Sequence, residues 1–450
     1  MLKLRHNSQI KNVLFILWAG GCALLCYSMV YALRKPFTAA IFDDITVFGF
    51  SFKTAVTISQ TIGYLISKFA AIKLISELNH SHRLRLISIA AIMAAGALVF
   101  FGLLPAPYNI AAIFVNGLAL GCMWGVIFSF LEGRRITDLL ASILGISMVV
   151  SSGTAKSIGL FVMNRLDVSE FWMPAVIGAF ACPLVIALGW TLSKLPPPNE
   201  VDIALRVKRV TLDGSQRVAL FRKYALLLIL LLGGNLFLTV FRDIKEDFLV
   251  NIFDLTGHSD WVFAKINTIV TLTILGLFAM MMFVRSNRNA LFILLTGANV
   301  ALIAMALISA NYYQWNLPPL VWLFTMGLSL YIPYLAFQTI FFDRFIAHLR
   351  IQGNVGFFIA LIDAIGYSGS VVVMLSKEIF RPQADWLQVF NQLSFFVGVF
   401  CAVVFSASMI IIAGAARKKT RLENNIQNIF STKKEKLSSC GSCVQINLIQ

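Results

Sequence analysis

Arg34 and Arg242 close two long apolar runs, Asn12–Leu33 and Tyr224–Phe241, and stand 208 residues apart. A guanidinium is a permanent cation with a planar fork of donors, suited to carboxylate or phosphate. Placed in hydrocarbon, such a charge is costly and faces a wet or protein-lined interior. Its surroundings repeat. Fifteen residues after Arg34 comes Gly49-Phe50-Ser51, and fifteen after Arg242 comes Gly257-His258-Ser259. Ile58 and Ile266 also match at this offset, and each serine is placed to cap the helix that follows. Two halves that each carry one arginine at the same depth would bring both to one central cavity, where they would clamp an anion.

Further charges interrupt apolar runs. Lys68 lies in Gly63-Tyr64-Leu65-Ile66-Ser67-Lys68-Phe69, and Lys156 in Gly153-Thr154-Ala155-Lys156-Ser157-Ile158-Gly159. Both read as anion-binding cations, with a structural ion pair as the competing explanation. Asp363 is the most isolated acid within a span. It can pair with a basic residue, carry a proton, or sit protonated and hydrogen-bonded. Asp247 follows Arg242 by five residues, too far round a helix for an i,i+4 pair, so its partner would lie on a neighbouring helix. Asp247 and Asp363 are therefore assigned to coupling or ion pairing. Asp243, Lys245 and Glu246 read as solvated charge of an outer loop, and Lys35 as a snorkelling side chain at the outer headgroups. Lys265, six residues after Ser259, also reads as snorkelling.

The elements that must position these residues are membrane-spanning helices. Hydrophobic residues make up 58% of the 450 and charged residues 13%, with a mean hydropathy of +0.81. A soluble domain has about twice that charged fraction. Unbroken apolar runs exclude a β-barrel, whose strands alternate over about 10 residues. Twelve spans follow, at 12–41, 54–75, 85–104, 108–130, 139–163, 171–192, 224–253, 260–284, 289–309, 317–342, 355–376 and 387–414. The expectation is an all-α membrane protein with twelve transmembrane helices in two pseudo-symmetric six-helix bundles. Residues 1–195 would form the first bundle, 196–222 a cytoplasmic linker opening on Pro196-Pro197-Pro198, and 223–416 the second bundle. Residues 417–450 would be a disordered basic tail that touches anionic lipid.

The net charge of +16 points to topology rather than to nucleic acid. With a cytoplasmic N-terminus, the even-numbered loops and both tails hold about 25 of the 37 Lys and Arg, and the opposite loops about 8. This asymmetry puts both termini in the cytoplasm, across the inner membrane if the source is bacterial. The first span reads as retained rather than cleaved. The seven cysteines give no disulfide framework. Cys22, Cys26, Cys122, Cys182 and Cys401 read as small apolar residues, and Cys440 and Cys443 form a lone CxxC in the tail. The five His are scattered, and no HExxH, GxSxG or P-loop motif occurs. No enzyme, cofactor or metal site is expected.

At these residues the chain resembles the major facilitator superfamily, and within it the organophosphate:phosphate antiporters, which carry glycerol-phosphate or hexose-phosphate. The resemblance covers about residues 10–415. Tyr31-Ala32-Leu33-Arg34-Lys35-Pro36-Phe37 is similar to the family's Tyr-x-x-x-Arg-Lys-x-Phe in helix 1, one residue shorter. Gly49-Phe50-Ser51 matches Gly-Phe-Ser before helix 2, and Tyr64-Leu65-Ile66-Ser67-Lys68-Phe69 resembles Tyr-Gly-x-Ser-Lys-Phe within it. Arg242 and Asp247 match the Arg and Asp of helix 7. Ala155-Lys156-Ser157-Ile158-Gly159 looks like Ala-His-Asn-Val-Gly of helix 5, with a cation kept but one that does not titrate near pH 7. The resemblance implies that the two arginines bind phosphate, with Lys68 and Lys156 contributing. One departure matters. The loop after helix 2, Ile72-Lys73-Leu74-Ile75-Ser76-Glu77, lacks the superfamily's Gly-x-x-x-Asp-Arg, and Phe283-Val284-Arg285-Ser286-Asn287-Arg288 also lacks the Asp. A second cluster, Glu132-Gly133-Arg134-Arg135 with Asp138, is the candidate to take over gating; topology-setting charge is its competing reading. The expected function is secondary transport of a small organic anion, a phosphate ester or phosphate being the implied class, by a monomer working by alternating access. The alternative is a non-transporting sensor of such an anion on the same scaffold.

Overall fold

A computed structural model describes residues 2–42, 45–47, 49–76, 80–131, 134, 136–197, 221–253, 257–284, 286–349, 355–380 and 385–414. The tail with Cys440 and Cys443 and most of the linker lie outside the described residues.

The twelve helices are α1 (Leu2–Arg34), α2 (Phe52–Ser76), α3 (His80–Leu103), α4 (Ile110–Leu131), α5 (Thr137–Leu166), α6 (Met173–Ser193), α7 (Ala225–Ile252), α8 (Val262–Met280), α9 (Asn287–Ala310), α10 (Pro319–Phe341), α11 (Val355–Phe380) and α12 (Trp386–Gly414). Among the described residues nine helices are long and apolar enough to cross a membrane. With α2, α8 and α11 they make the expected twelve. Backbone polar groups have no water partner in hydrocarbon, so a spanning segment must satisfy them within its own helix.

Two elements depart from the expected pattern. The first span was read through to residue 41, but α1 stops at Arg34. Pro36 has no N–H to continue the ladder, and a one-turn 3-10 helix, Pro36–Ala39, follows. A ribbon of two-residue strands, β1 (Thr46–Val47) and β2 (Phe50–Ser51), then leads into α2. In α10, Pro333 likewise removes a ladder donor, and a π-turn over Phe337–Phe341 follows it.

The repeat appears in backbone geometry. Gly49 has φ +81° and Gly257 φ +75°, the left-handed region that glycine enters without a Cβ clash. Ser51 Oγ accepts from Thr54 N at 3.3 Å, and Ser259 Oγ from Trp261 N at 3.1 Å. Ile58 and Ile266 are both buried. Between the halves α2 packs on α11 and α5 on α8. A pseudo-twofold that exchanges α2 with α8 and α5 with α11 interchanges these two contacts.

Within the first half α2 and α4 meet backbone to backbone. A Cβ on Gly63 would stand 2.3 Å from Phe114 O, and one on Gly117 2.2 Å from Gln60 O. Small residues let membrane helices approach this closely. Gly117→Val must therefore separate the two helices, whereas Gly96→Ala enters open space. Overpacking costs about 1–3 kcal/mol or more. Thermal unfolding of the purified variants in detergent should show a large loss for Gly117→Val and almost none for Gly96→Ala.

Candidate functional site

The site begins where α1 ends. The turn after Arg34 frees carbonyls that an unbroken helix would satisfy. Amide side chains meet them: Asn116 Nδ2 donates to Leu33 O at 3.1 Å, and Gln60 Nε2 to Arg34 O at 2.5 Å. Gln60 Nε2 also donates to Asn116 Oδ1 at 2.9 Å. This fixes the end of α1 against α2 and α4. The repeat mate α7 has no proline at the matching place and runs on to Ile252, so Arg242 sits within a continuous helix.

Arg34 is 4% exposed and Arg242 6%. Arg34 Cζ lies 3.6 Å from the Tyr64 ring centroid, 5.7 Å from that of Tyr367 and 6.0 Å from that of Tyr31. Its guanidinium donates no hydrogen bond to any described residue, and its Nε is fully enclosed. Arg242 Cζ lies 5.5 Å from the Tyr367 centroid and 4.7 Å from that of Tyr334. Both cations thus lie within 6 Å of the centre of one ring, Tyr367.

The other expected residues join this cluster through ion pairs. Lys68 of α2 pairs with Asp363 of α11, which also accepts from Gln338 Nε2 at 3.1 Å. Lys156 Nζ of α5 lies 3.5 Å from Glu246 Oε2 of α7 and donates to Ser152 Oγ at 2.9 Å. Glu246 Oε1 accepts from the Tyr331 hydroxyl. The structural explanation weighed against anion binding thus describes how Lys68 and Lys156 are held here. Asp247 finds its partner on another helix, as the i,i+5 spacing required, but the partner is Lys35, at 2.5 Å.

That pair corrects the reading of Lys35 as a snorkelling side chain. Lys35 is buried, because the turn after Arg34 directs it onto α7 instead of outward. Asp243, Lys245 and Glu246 are likewise buried in α7 and not solvated in a loop. Lys245 Nζ stands 4.8 Å from the Tyr331 centroid. Lys53, at the start of α2, donates to Thr38 O at 3.2 Å, Ala40 O at 2.7 Å and Asn251 Oδ1 at 2.6 Å. Lys265 is exposed, in keeping with a snorkelling role. Among the gating candidates, Glu132 and Arg135 lie outside the described residues, as do the side chain of Asp138 and those of 72–77. Arg134 donates to Pro196 O at 2.6 Å and covers the Phe15 ring at 4.8 Å. Arg134 therefore ties the turn between α4 and α5 to the start of the linker.

Sequence reasoning also missed the tyrosines. Tyr27, Tyr31, Tyr64, Tyr331, Tyr334 and Tyr367 are six of the chain's ten, and all are buried in this cluster. Tyrosines in membrane proteins usually belt the headgroup level. Their spacing within mid-span runs, Tyr27/Tyr31 and Tyr331/Tyr334, was the available signal.

The Lys35–Asp247 pair carries a prediction. Removing one partner of a buried pair strands the other charge and costs about 3–5 kcal/mol, whereas replacing both by apolar groups is often neutral. Lys35→Met should lower the midpoint of thermal unfolding sharply. The double substitution Lys35→Met with Asp247→Leu should recover most of the loss. An unfolding curve for Lys35→Met that overlays the parent would show that the pair bears no such load.

Solved structures share the fold. The nucleoside transporter NupG aligns with a TM-score of 0.57 at 15% identity, covering 88% of this chain and 99% of its own. A proton-dependent oligopeptide transporter aligns at 0.59 and 11% identity, covering 89% and 99%. The xylose transporter XylE from E. coli, inward-open, aligns at 0.55 and 10% identity, covering 86% and 95%. At these identities the likeness establishes the architecture, the twelve-helix fold of major facilitator transporters. No curated protein sequence matches the chain. One family profile does, over residues 36–414, and by that match the chain belongs to DUF5690, described as a family of unknown function.

Proposed function

We propose that this protein is a secondary transporter of a small organic anion, which it binds in the cluster that holds Arg34 and Arg242 and moves by alternating access. The observation that carries this reading is Arg34: a buried guanidinium with no carboxylate partner and no hydrogen bond among the described residues. A buried cation without a counter-charge is costly, and a bound anion would relieve that cost. The moving bodies would be residues 1–195 and 223–416, joined by the cytoplasmic linker 196–222, with the tail 417–450 outside them. Lys68 and Lys156 would add positive field from the first body, and Asp247 and Asp363 would hold the bodies together. Glu132, Arg134 and Arg135 are assigned to the cytoplasmic gate. Transport by the fold's neighbours of nucleosides, peptides and xylose supports the mode, and the motif resemblance to organophosphate:phosphate antiporters supports an anion, a phosphate ester being the class it implies.

Uptake of labelled anions into proteoliposomes tests the reading directly. Binding without uptake would instead make the protein a sensor. Arg34→Lys keeps the charge and removes the fork. Losing one charge-assisted hydrogen bond costs roughly 1.5–3 kcal/mol, so binding should fall about tenfold to over a hundredfold. Arg242→Lys should also be damaging, because three partners rely on its fork. Parent-like binding by folded Arg34→Lys would sink the arginine site.

On the charge asymmetry of the loops, this reading has both termini in the cytoplasm. In a cysteine-free background, Ser169→Cys should react with an impermeant thiol reagent on intact cells, and Gly214→Cys should not. The reverse labelling would invert the topology.

A further inference from the structure

The two arginines differ in what they have left to give. Every guanidinium nitrogen of Arg242 already donates. Nε reaches Asp243 Oδ1 at 3.1 Å, one terminal nitrogen bonds the same carboxylate oxygen and the Tyr367 hydroxyl at 3.2 Å, and the other bonds the Tyr334 hydroxyl. Asp243 is held in turn by Ser370 Oγ of α11, at 2.6 Å from Oδ2. Both residues are buried, so the carboxylate has no water to turn towards. None of the Arg34 nitrogens donates to a described residue, and the faces of Tyr64, Tyr367 and Tyr31 stand near it.

Given the anion-binding reading above, we infer that Arg34 is the one anchor for the substrate's anionic group, and that Asp243 is a built-in counter-ion on Arg242 that limits this group to a single negative charge. A carboxylate, a sulfonate or a phosphodiester meets that limit. The second charge of a phosphate monoester dianion would meet Arg242 with its charge already neutralised by Asp243, in a medium of low dielectric where an uncompensated charge is costly.

Most of the remaining cations are already engaged. Lys35 is engaged by Asp247, Lys68 by Asp363 and Lys156 by Glu246. Lys53 is enclosed by three oxygens. Lys245 follows Arg242 by one helical turn, beside Glu246, with its ammonium on the Tyr331 ring. Around Arg34 the walls are the Tyr64 and Tyr367 rings, whose centroids stand 5.2 Å apart at 61°. Such walls favour a flat or apolar body behind the anionic head.

The test uses the full chain in detergent and two sets of probes. Benzoate, lactate and dimethyl phosphate carry one charge. Phenyl phosphate, glycerol 3-phosphate and inorganic phosphate carry close to two at pH 8 and about one at pH 5, since the second phosphate pKa is about 6. At pH 8 the best singly charged probe should bind at least about tenfold more tightly than its doubly charged counterpart. Lowering the pH to 5 should close that gap for phenyl phosphate relative to benzoate. Asp243→Asn keeps a group for Ser370 but frees Arg242, and should improve phenyl phosphate at pH 8 by about tenfold with benzoate little changed. The pH comparison uses the unsubstituted chain, so it decides the matter even if the variant does not fold. Tighter binding of phenyl phosphate than benzoate at pH 8, weakening as the pH falls, would overturn the inference and leave the anion reading standing. Failure of every probe to bind would overturn that reading, and this inference with it.

Discussion

A cation withdrawn from water must be neutralised or wrapped in dipoles, and this constraint orders the centre of the molecule. Lys35, Lys68, Lys156 and Arg242 are neutralised by Asp247, Asp363, Glu246 and Asp243. Lys53 is wrapped by two carbonyls and an amide oxygen. Arg34 is faced by tyrosine rings, whose attraction for a cation is weaker than that of a carboxylate. The pairing also has a direction. Among the described residues four pairs cross between the halves, the three lysine pairs and the exposed Arg165–Asp260, and all put the cation in the first half and the acid in the second. The inner surfaces of the two bundles are therefore electrostatically complementary, which fixes how they face each other.

How much of this the chain declares before folding depends on residue type. Long apolar runs gave the twelve helices, and all but the first had bounds right to a few residues, because hydrocarbon leaves the backbone no other choice. Gly49 and Gly257 were legible as a repeat because only glycine takes their left-handed turn cheaply. Arg34, Arg242, Lys68, Lys156, Asp247 and Asp363 were legible as charges with no obvious water. Lys35 was not, because a lysine beside a helix end usually snorkels, and only the turn imposed by Pro36 redirects it. Asp243, Lys245 and Glu246 were misread for a different reason. Five charges in six residues look like a loop when counted along the chain. In three dimensions they divide among α1, α5, α10 and α11, and each face of α7 has its own partner to satisfy.

The same proline explains why two related halves build unlike sites. Arg34 and Arg242 match in sequence, yet one ends a helix and the other lies inside one. In α7 the unbroken helix sets Asp243 next to Arg242, and the pair closes on itself. In α1 the residue after Arg34 is Lys35, which is drawn away to Asp247. An anion-binding pair inherited by repetition would be symmetric. Here the divergence of a single turn leaves one arginine occupied and the other open.

The crossing pairs also constrain any motion of one half against the other. Lys35–Asp247 lies towards the C-terminal ends of α1 and α7, beside the Lys53–Asn251 contact. Lys68–Asp363 lies towards the opposite ends of α2 and α11, eight residues beyond the start of the latter. A rocking motion that parts the halves on one side strains the pairs on that side and leaves the others intact. Each stranded charge would cost several kcal/mol unless water reached it, and opening a side to solvent admits that water. The cost of breaking a pair thus falls as the path to it opens. Arg34 lies between these two sets with neither a carboxylate partner nor solvent, so opening at an end does not relieve its charge, and an entering anion does.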